Sequence, residues 1–276
     1  MVNVEVSKPV FSAQSKTAGI RCRLLINDVV ATRCVTGGSL CLEVQINHLL
    51  HSGINTFAFE VEDSGGVHQH GSARVTVSIR DPITSSEAVA TCLQFELIGG
   101  GAGRGLQALV RTPAPYDIAP SYVGGARSGI AVRSKVLTPW RQRFWHTLPQ
   151  LRITDDVVKL ARTAHEELCV AIKRQDTDSI GALLSRKRGV YMEALYLDAK
   201  TADDVIGFQG LALSDDAELI EPDWNRFKME LCGNGRLLRF VDGRGDGPIS
   251  FRRSKNLRTY MTAYYGMVES RLVQVL

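Results

Sequence analysis

The chain has 276 residues, 44% of them hydrophobic, with a formal net charge of +4. That is enough chain for one large domain or two ordinary ones with real cores, and too little positive charge to coat nucleic acid. No apolar run approaches the roughly 18–20 residues that span a bilayer, and MVNVEVSKPVF lacks the basic-then-apolar pattern of a secretory signal, so the expectation is a cytoplasmic protein.

The first half reads as β structure. Val2, Val4 and Val6 alternate with polar residues, and Ile20–Ile26 alternates again. Asn27-Asp28 then marks a tight turn into Val29–Val35. Leu40–Ile46, Ile54–Val61, Ala73–Ile79 and Val89–Ile98 follow, separated by short turn signals and without a convincing amphipathic helix. That spacing predicts an all-β antiparallel sandwich over 1–98, with a longer extent to 138. Within it, HSGINTFAFEVED resembles the strand entry of accessory β-sandwich modules of immunoglobulin-like and carbohydrate-binding type, a resemblance that implies a fold and no activity.

From 99 to 139 glycine, proline and serine are dense: GGGAGRG, RTPAPYDIAPSYVGGARSG, LTPW. This predicts a connection between domains, in which Gly105–Arg111 and Ile130–Val136 can form strands. The remaining 140–276 reads as α+β. Thr154 is a plausible N-cap, followed by Asp155 and Asp156 where the helix dipole favours negative charge. Val157, Leu160, Ala161, Ala164, Leu168, Ala171 and Ile172 repeat at helical spacing. Asp176 or Asp178 caps a second helix through Leu183-Leu184 that can continue to Tyr196. Thr201 and Asp204 form a capping box for a third helix near Thr201–Leu213. Strands return after Pro222: Phe227–Cys232, a Gly233-Asn234-Gly235 turn, Leu237–Val241, Ile249–Arg252, Arg258–Tyr265 and Arg271–Leu276. In element order, residues 150–276 resemble the cone of the nuclear transport factor-like superfamily, which holds enzymes, ligand binders and plain binding modules alike.

The glycine loop IGGGAGRGLQALV fails as a nucleotide site. Arg104 or Leu106 falls where a Rossmann fingerprint needs its last glycine, and Leu106 replaces the lysine of a P-loop. His68 and His70, with Asp63 nearby, lack a third ligand of matching spacing. The six cysteines have no C-x-x-C and no dense spacing, and they read as reduced and structural. No nucleophile motif occurs, and no metal or cofactor is expected. The cone resemblance implies that a histidine such as His165 can face a pocket as acid or base, with Trp224, Phe227 and Tyr260 as aromatic lining.

Charge patterning points elsewhere. From Asp198 to Asp223 the chain carries eight acidic residues against one lysine, Lys200. From Arg236 to Arg258 it carries seven basic residues against two acidic ones. Such blocks either satisfy one another or form a protein-docking surface. Asp203, Asp204, Asp215, Asp216, Glu218, Glu221 and Asp223 are the partner-binding candidates. A β-rich N-terminal domain joined to a cone-like domain with strands such as GNGRLLRFVDG and RLVQVL looks like the immunity proteins that bacteria keep beside interbacterial toxin effectors of type VI secretion-like systems. That resemblance implies a non-catalytic inhibitor that occludes the active site of a toxin, with a nuclease as the fitting class. The alternatives are a cone-fold enzyme or small-ligand binder built on His165, and a carbohydrate-binding or assembly module.

Overall fold

The structure is a computed structural model and describes the chain outside residues 1–7, 35–38, 63–69, 81–86, 99–106, 112–115, 124–125, 139–143, 208–216, 255–256 and 262. The alternation at Val2–Val6, the glycine loop from Gly99 on, Asp63, His68, Asp215 and Asp216 lie outside the described residues. The chain is mostly antiparallel β, and its four described helices all follow residue 154. It divides into two compact units, Met1–Tyr122 with Ala126–Arg143, and Val123–Gly125 with Phe144–Leu276.

The first unit holds two five-stranded antiparallel sheets. Its strands are β1 (Val10–Ala18), β2 (Cys22–Ile26), β3 (Val29–Cys34), β4 (Leu40–Gln45), β5 (Gly53–Glu62), β6 (His70–Arg80), β7 (Glu87–Ile98), β8 (Gln107–Arg111), β9 (Tyr116–Val123) and β10 (Ala126–Thr138). One sheet runs β4-β1-β6-β7-β8 and the other β3-β2-β5-β10-β9. Period-two alternation sends Phe11, Ala13, Ala73, Val75 and Val77 of the first sheet, and Leu24, Ile26, Phe57, Phe59 and Val132 of the second, into full burial. Asn27 and Asp28 adopt φ of 52° and 64°, the left-handed pair that a two-residue hairpin needs. The turn is anchored by Asn27, whose Nδ2 donates to Leu49 O at 2.9 Å and to Asn55 Oδ1 at 2.7 Å. Arg23 and Glu60, register partners across β2 and β5, form a buried ion pair.

The stretch 99–139, expected as a connection with strands at Gly105–Arg111 and Ile130–Val136, contributes β8 and β10 at those places and β9 besides. β10 lies inside its sheet and pairs with β5 from Gly129–Glu62 to Thr138–Gly53. Inward Val132 and Ser134 are buried while Lys135 and Leu137 are exposed, and the strand runs longer than the expected Ile130–Val136 at both ends.

In the second unit α1 (Asp155–Lys173) starts where expected, with Thr154 Oγ1 accepting from the Val157 amide at 3.3 Å. Its buried face is Ala161, His165, Leu168, Cys169 and Ile172, whereas Leu160 is 48% exposed. The second predicted helix is two: α2 (Thr177–Leu183), capped by Asp176, and α3 (Ser185–Leu195), ended by Tyr196 at φ 57°. The third starts earlier than Thr201. Asp198 caps α4 (Ala199–Val205), its Oδ1 accepting from the Thr201 amide at 2.8 Å, so Thr201 is a first-turn residue and not the cap.

The strands of this unit form two sheets, one of which takes in a short strand ahead of Pro222. β12 (Lys228–Cys232), β13 (Leu237–Val241), β16 (Tyr265–Val268) and β17 (Arg271–Gln274) make the four-stranded sheet, and β11 (Glu218–Ile220), β14 (Ser250–Ser254) and β15 (Leu257–Tyr260) the three-stranded one. The run Arg258–Tyr265 is broken at Met261, Ala263 and Tyr264, which separates β15 from β16. Gly233, Asn234 and Gly235 all take positive φ at the β12–β13 turn. A Cβ on Gly233 would lie 2.5 Å from Cζ3 of the fully buried Trp145. Leu168, Ile172, Ile180, Leu184, Leu238, Phe240, Phe251 and Met261 form the core between helices and sheets.

Candidate functional site

The acidic stretch folds into helix, caps and strand, and most of its described carboxylates find partners. Asp203 on α4 accepts from Arg188 Nε of α3 at 2.5 Å, with both side chains largely covered. Asp204, the next residue, is exposed. Glu218 on β11 meets Arg252, its register partner on β14, at 3.1 Å. Glu221 pairs with Lys173 at the end of α1, and that hydrogen-bonded ammonium holds its carboxyl below the usual range. Asp223 caps the 3₁₀ turn Trp224–Arg226, accepting from the Asn225 amide at 3.2 Å. The basic stretch is engaged in the same way. Arg239 donates to Glu230 at 2.9 Å and Arg236 donates to Leu148 O.

The aromatic candidates converge in part. His165, fully buried on α1, has its ring 5.7 Å from Trp224, 5.3 Å from Phe240 and 4.7 Å from Tyr265. Trp224 lies 6.2 Å from Phe227 and carries the Arg162 guanidinium 4.9 Å above its ring. Tyr260 does not join them: it sits on β15 and is 40% exposed. Tyr265 and Phe240 stand in the group instead. Phe240 is legible as the core-facing alternate of Leu238, but Tyr264 and Tyr265 are both buried and nothing in the pair tells which ring meets His165.

His165 Nδ1 lies 3.2 Å from Ala161 O, so this nitrogen carries the proton and Nε2 is left as an acceptor. Among the described residues neither Nε2 nor the buried Tyr265 Oη has a hydrogen-bond partner. Burial lowers the His165 pKa from 6.5 to about 4, against the opposing pull of the Ala161 carbonyl. Burial also pushes the Cys169 thiol, one helical turn on, up to about 11 and the Tyr265 phenol well above its ordinary value. At neutral pH the group therefore holds a neutral imidazole, a thiol and a phenol. It can offer one acceptor and one hydroxyl to a small polar group, and it is poorly suited to carrying protons.

A further set of buried ionisable groups is invisible in the sequence. Lys187, in the basic run Arg186–Arg188, is 3% exposed, with Nζ 6.0 Å from the ring of Tyr191 one turn along α3. Burial lowers its pKa from 10.5 to about 7. Only its helical spacing from Leu184 and Val190 could have marked it as inward. An open groove of about 550 Å³ lies along α1 and α2, lined by Glu166, Val170, Arg174, Asp176 and Leu183, away from the His165 rings. Among the described residues no helix is long and apolar enough to cross a membrane. Comparison with protein-family models, curated proteins and solved structures gives no match for this chain.

Proposed function

We propose that the chain is a non-catalytic binding protein of the immunity class, acting in the cytoplasm by docking on a basic protein surface such as that of a toxin nuclease and occluding it. In this reading the paired five-stranded sheets are an antiparallel sandwich and the helices with the two smaller sheets are a cone-like scaffold. One observation carries it: Glu218 and Glu221 are both exposed on one short segment, and Asp204 is exposed on α4. The ion pairs of Glu218 with Arg252 and Glu221 with Lys173 lie at the surface, where solvent screens such pairs and they contribute little. A basic partner can exchange them at little cost. Asp203 is excluded from the docking set because its partner Arg188 holds it half-buried, and Asp223 because it caps a turn.

The test is co-expression with the protein encoded beside this chain's reading frame, followed by association kinetics with the purified partner. Asp204→Lys, Glu218→Lys and Glu221→Lys together should slow association at least tenfold, and the wild-type rate should fall steeply with salt. A triple variant that associates as fast as wild type, with no salt dependence, removes the acidic surface from the mechanism.

A second reading, a small-ligand binder, is favoured by Nε2 of His165 and Oη of Tyr265, both buried without a partner among the described residues. Buried polar atoms of this kind are normally satisfied by protein, water or ligand. A hydroxyl-bearing probe such as phenol should shift the His165 Nε2 nitrogen resonance in the wild type and not in Tyr265→Phe. The absence of any shift rejects this reading.

A further inference from the structure

We propose that Cys22 and Cys34 are a redox-responsive thiol pair whose oxidation staples the edge strand β3 to β2. The two residues are register partners across the β2–β3 hairpin. Both are thiols, 3% and 6% exposed. Cys22 also stands opposite Val61 of β5, on the same inward face as Leu24 and Ile26, so its cross-strand partner Cys34 shares that face. Directly opposed residues of an antiparallel pair have Cα atoms about 4.5–5.5 Å apart, inside the range that a disulfide spans. Their Cβ atoms must close by roughly 1 Å, which an edge strand can supply more readily than an interior one.

The hairpin is built to open at this place. β3 is the outermost strand of its sheet. The β2–β3 register slips between Leu24 and Leu25, two residues beyond Cys22. Local opening of an edge strand lies at the low-energy end of native motions, and it brings Cys34 to solvent first. The co-reactant is a small disulfide such as oxidised glutathione. The Cys34 thiol loses its proton to water and its thiolate attacks one glutathione sulfur, releasing a glutathione thiolate. Cys22, deprotonated in turn, attacks Sγ of Cys34 and releases the second glutathione. Two protein thiols lose two electrons and two protons, one S–S bond forms in the protein, and the S–S bond of the oxidant is reduced to two thiols.

The experiment uses the full chain carrying Cys41→Ser and Cys92→Ser, which removes the exposed and half-exposed thiols. After incubation with oxidised glutathione, a tryptic map should join the Cys22 peptide to the Cys34 peptide, with the intact chain about two mass units lighter. Amide exchange across β3 should slow at least tenfold, and dithiothreitol should reverse both effects. Cys34→Ser in the same background should give neither the link nor the slowing. Cys22→Ala serves as the second control, should the serine disturb folding. A persistent glutathione adduct on Cys34 without joining to Cys22, or two thiols that stay reduced while Cys41 of the wild-type chain is modified, overturns the proposal.

Discussion

Acidifying the protein should expose the cost of burying His165. Its ordinary pKa is 6.5 and in the fold it is about 4. Between those values the unfolded chain binds a proton that the folded chain refuses. Stability from this group is therefore intact above pH 6.5, falls as the pH drops through the window, and is fully lost below about pH 4. A gap of about 2.5 pH units at about 1.4 kcal/mol each sets the complete loss near 3.4 kcal/mol. Between pH 7.5 and 4.5 roughly 2.5 kcal/mol of that should appear. The perturbation that isolates it is His165→Leu, which keeps the volume close and cannot ionise. At pH 7.5 the variant should lie within about 1.5 kcal/mol of wild type, because it gives up one hydrogen bond to Ala161 and also removes a buried acceptor without a partner. Urea unfolding at both pH values, read by circular dichroism, gives the four stabilities. Carboxylates elsewhere titrate equally in both proteins and cancel. If wild type and His165→Leu lose stability in parallel, within about 0.5 kcal/mol, then the imidazole is not held neutral by its surroundings and the account of the aromatic cluster is wrong.

The remaining expectations concern the same unit. Lys187 has a folded pKa of about 7 against an ordinary 10.5. The folded chain therefore sheds its proton while the unfolded chain keeps it, and stability should climb by about 3 kcal/mol between pH 7 and 9.5. In Lys187→Met that climb should vanish, and the variant should be the more stable protein at pH 7; an equal climb in both proteins places the charge elsewhere. Gly233→Ala should cost about 2–4 kcal/mol, because the new methyl meets the Trp145 ring and φ is +59°. A thermal midpoint unchanged from wild type would show that this turn tolerates rearrangement.

Legibility in the sequence tracks how local the determining interaction is. Asn27-Asp28, Thr154 and Gly233-Asn234-Gly235 are readable because a turn or cap is decided within four residues. The start of α4 is missed because Asp198 and Thr201 are both competent caps, and only the observed hydrogen bond selects the first. β8 and β10 are legible as the apolar runs within Gly105–Arg111 and Ile130–Val136, whereas β9 is obscured by glycine and proline around it, and the full length of β10 depends on pairing with β5, far back in the chain. At the candidate site, the cone resemblance implies His165, Trp224 and Phe227 as a group, and the rings of His165, Trp224 and Phe227 do stand in one aromatic chain of contacts. Tyr260 is misplaced because the sequence does not show where Arg258–Tyr265 breaks. The acidic block is visible as composition, but its pairing with Lys173, Arg188 and Arg252 depends on tertiary approach.

The position of β10 has a consequence for how the first unit comes into being. β5 ends at Glu62, yet its second neighbour is not complete until Thr138. A growing chain therefore emerges with β2 and β5 able to pair and with the far side of β5 an open row of amides and carbonyls. All of β6, β7, β8 and β9 must leave the ribosome before that row is closed. High contact order of this kind places folding on the order of milliseconds to seconds. The nascent chain has a long interval in which the β5 edge can recruit a foreign strand. Premature termination between Arg111 and Ala126 should yield a fragment that holds every strand of one sheet but leaves the other open at β5, a state prone to aggregation and to chaperone capture.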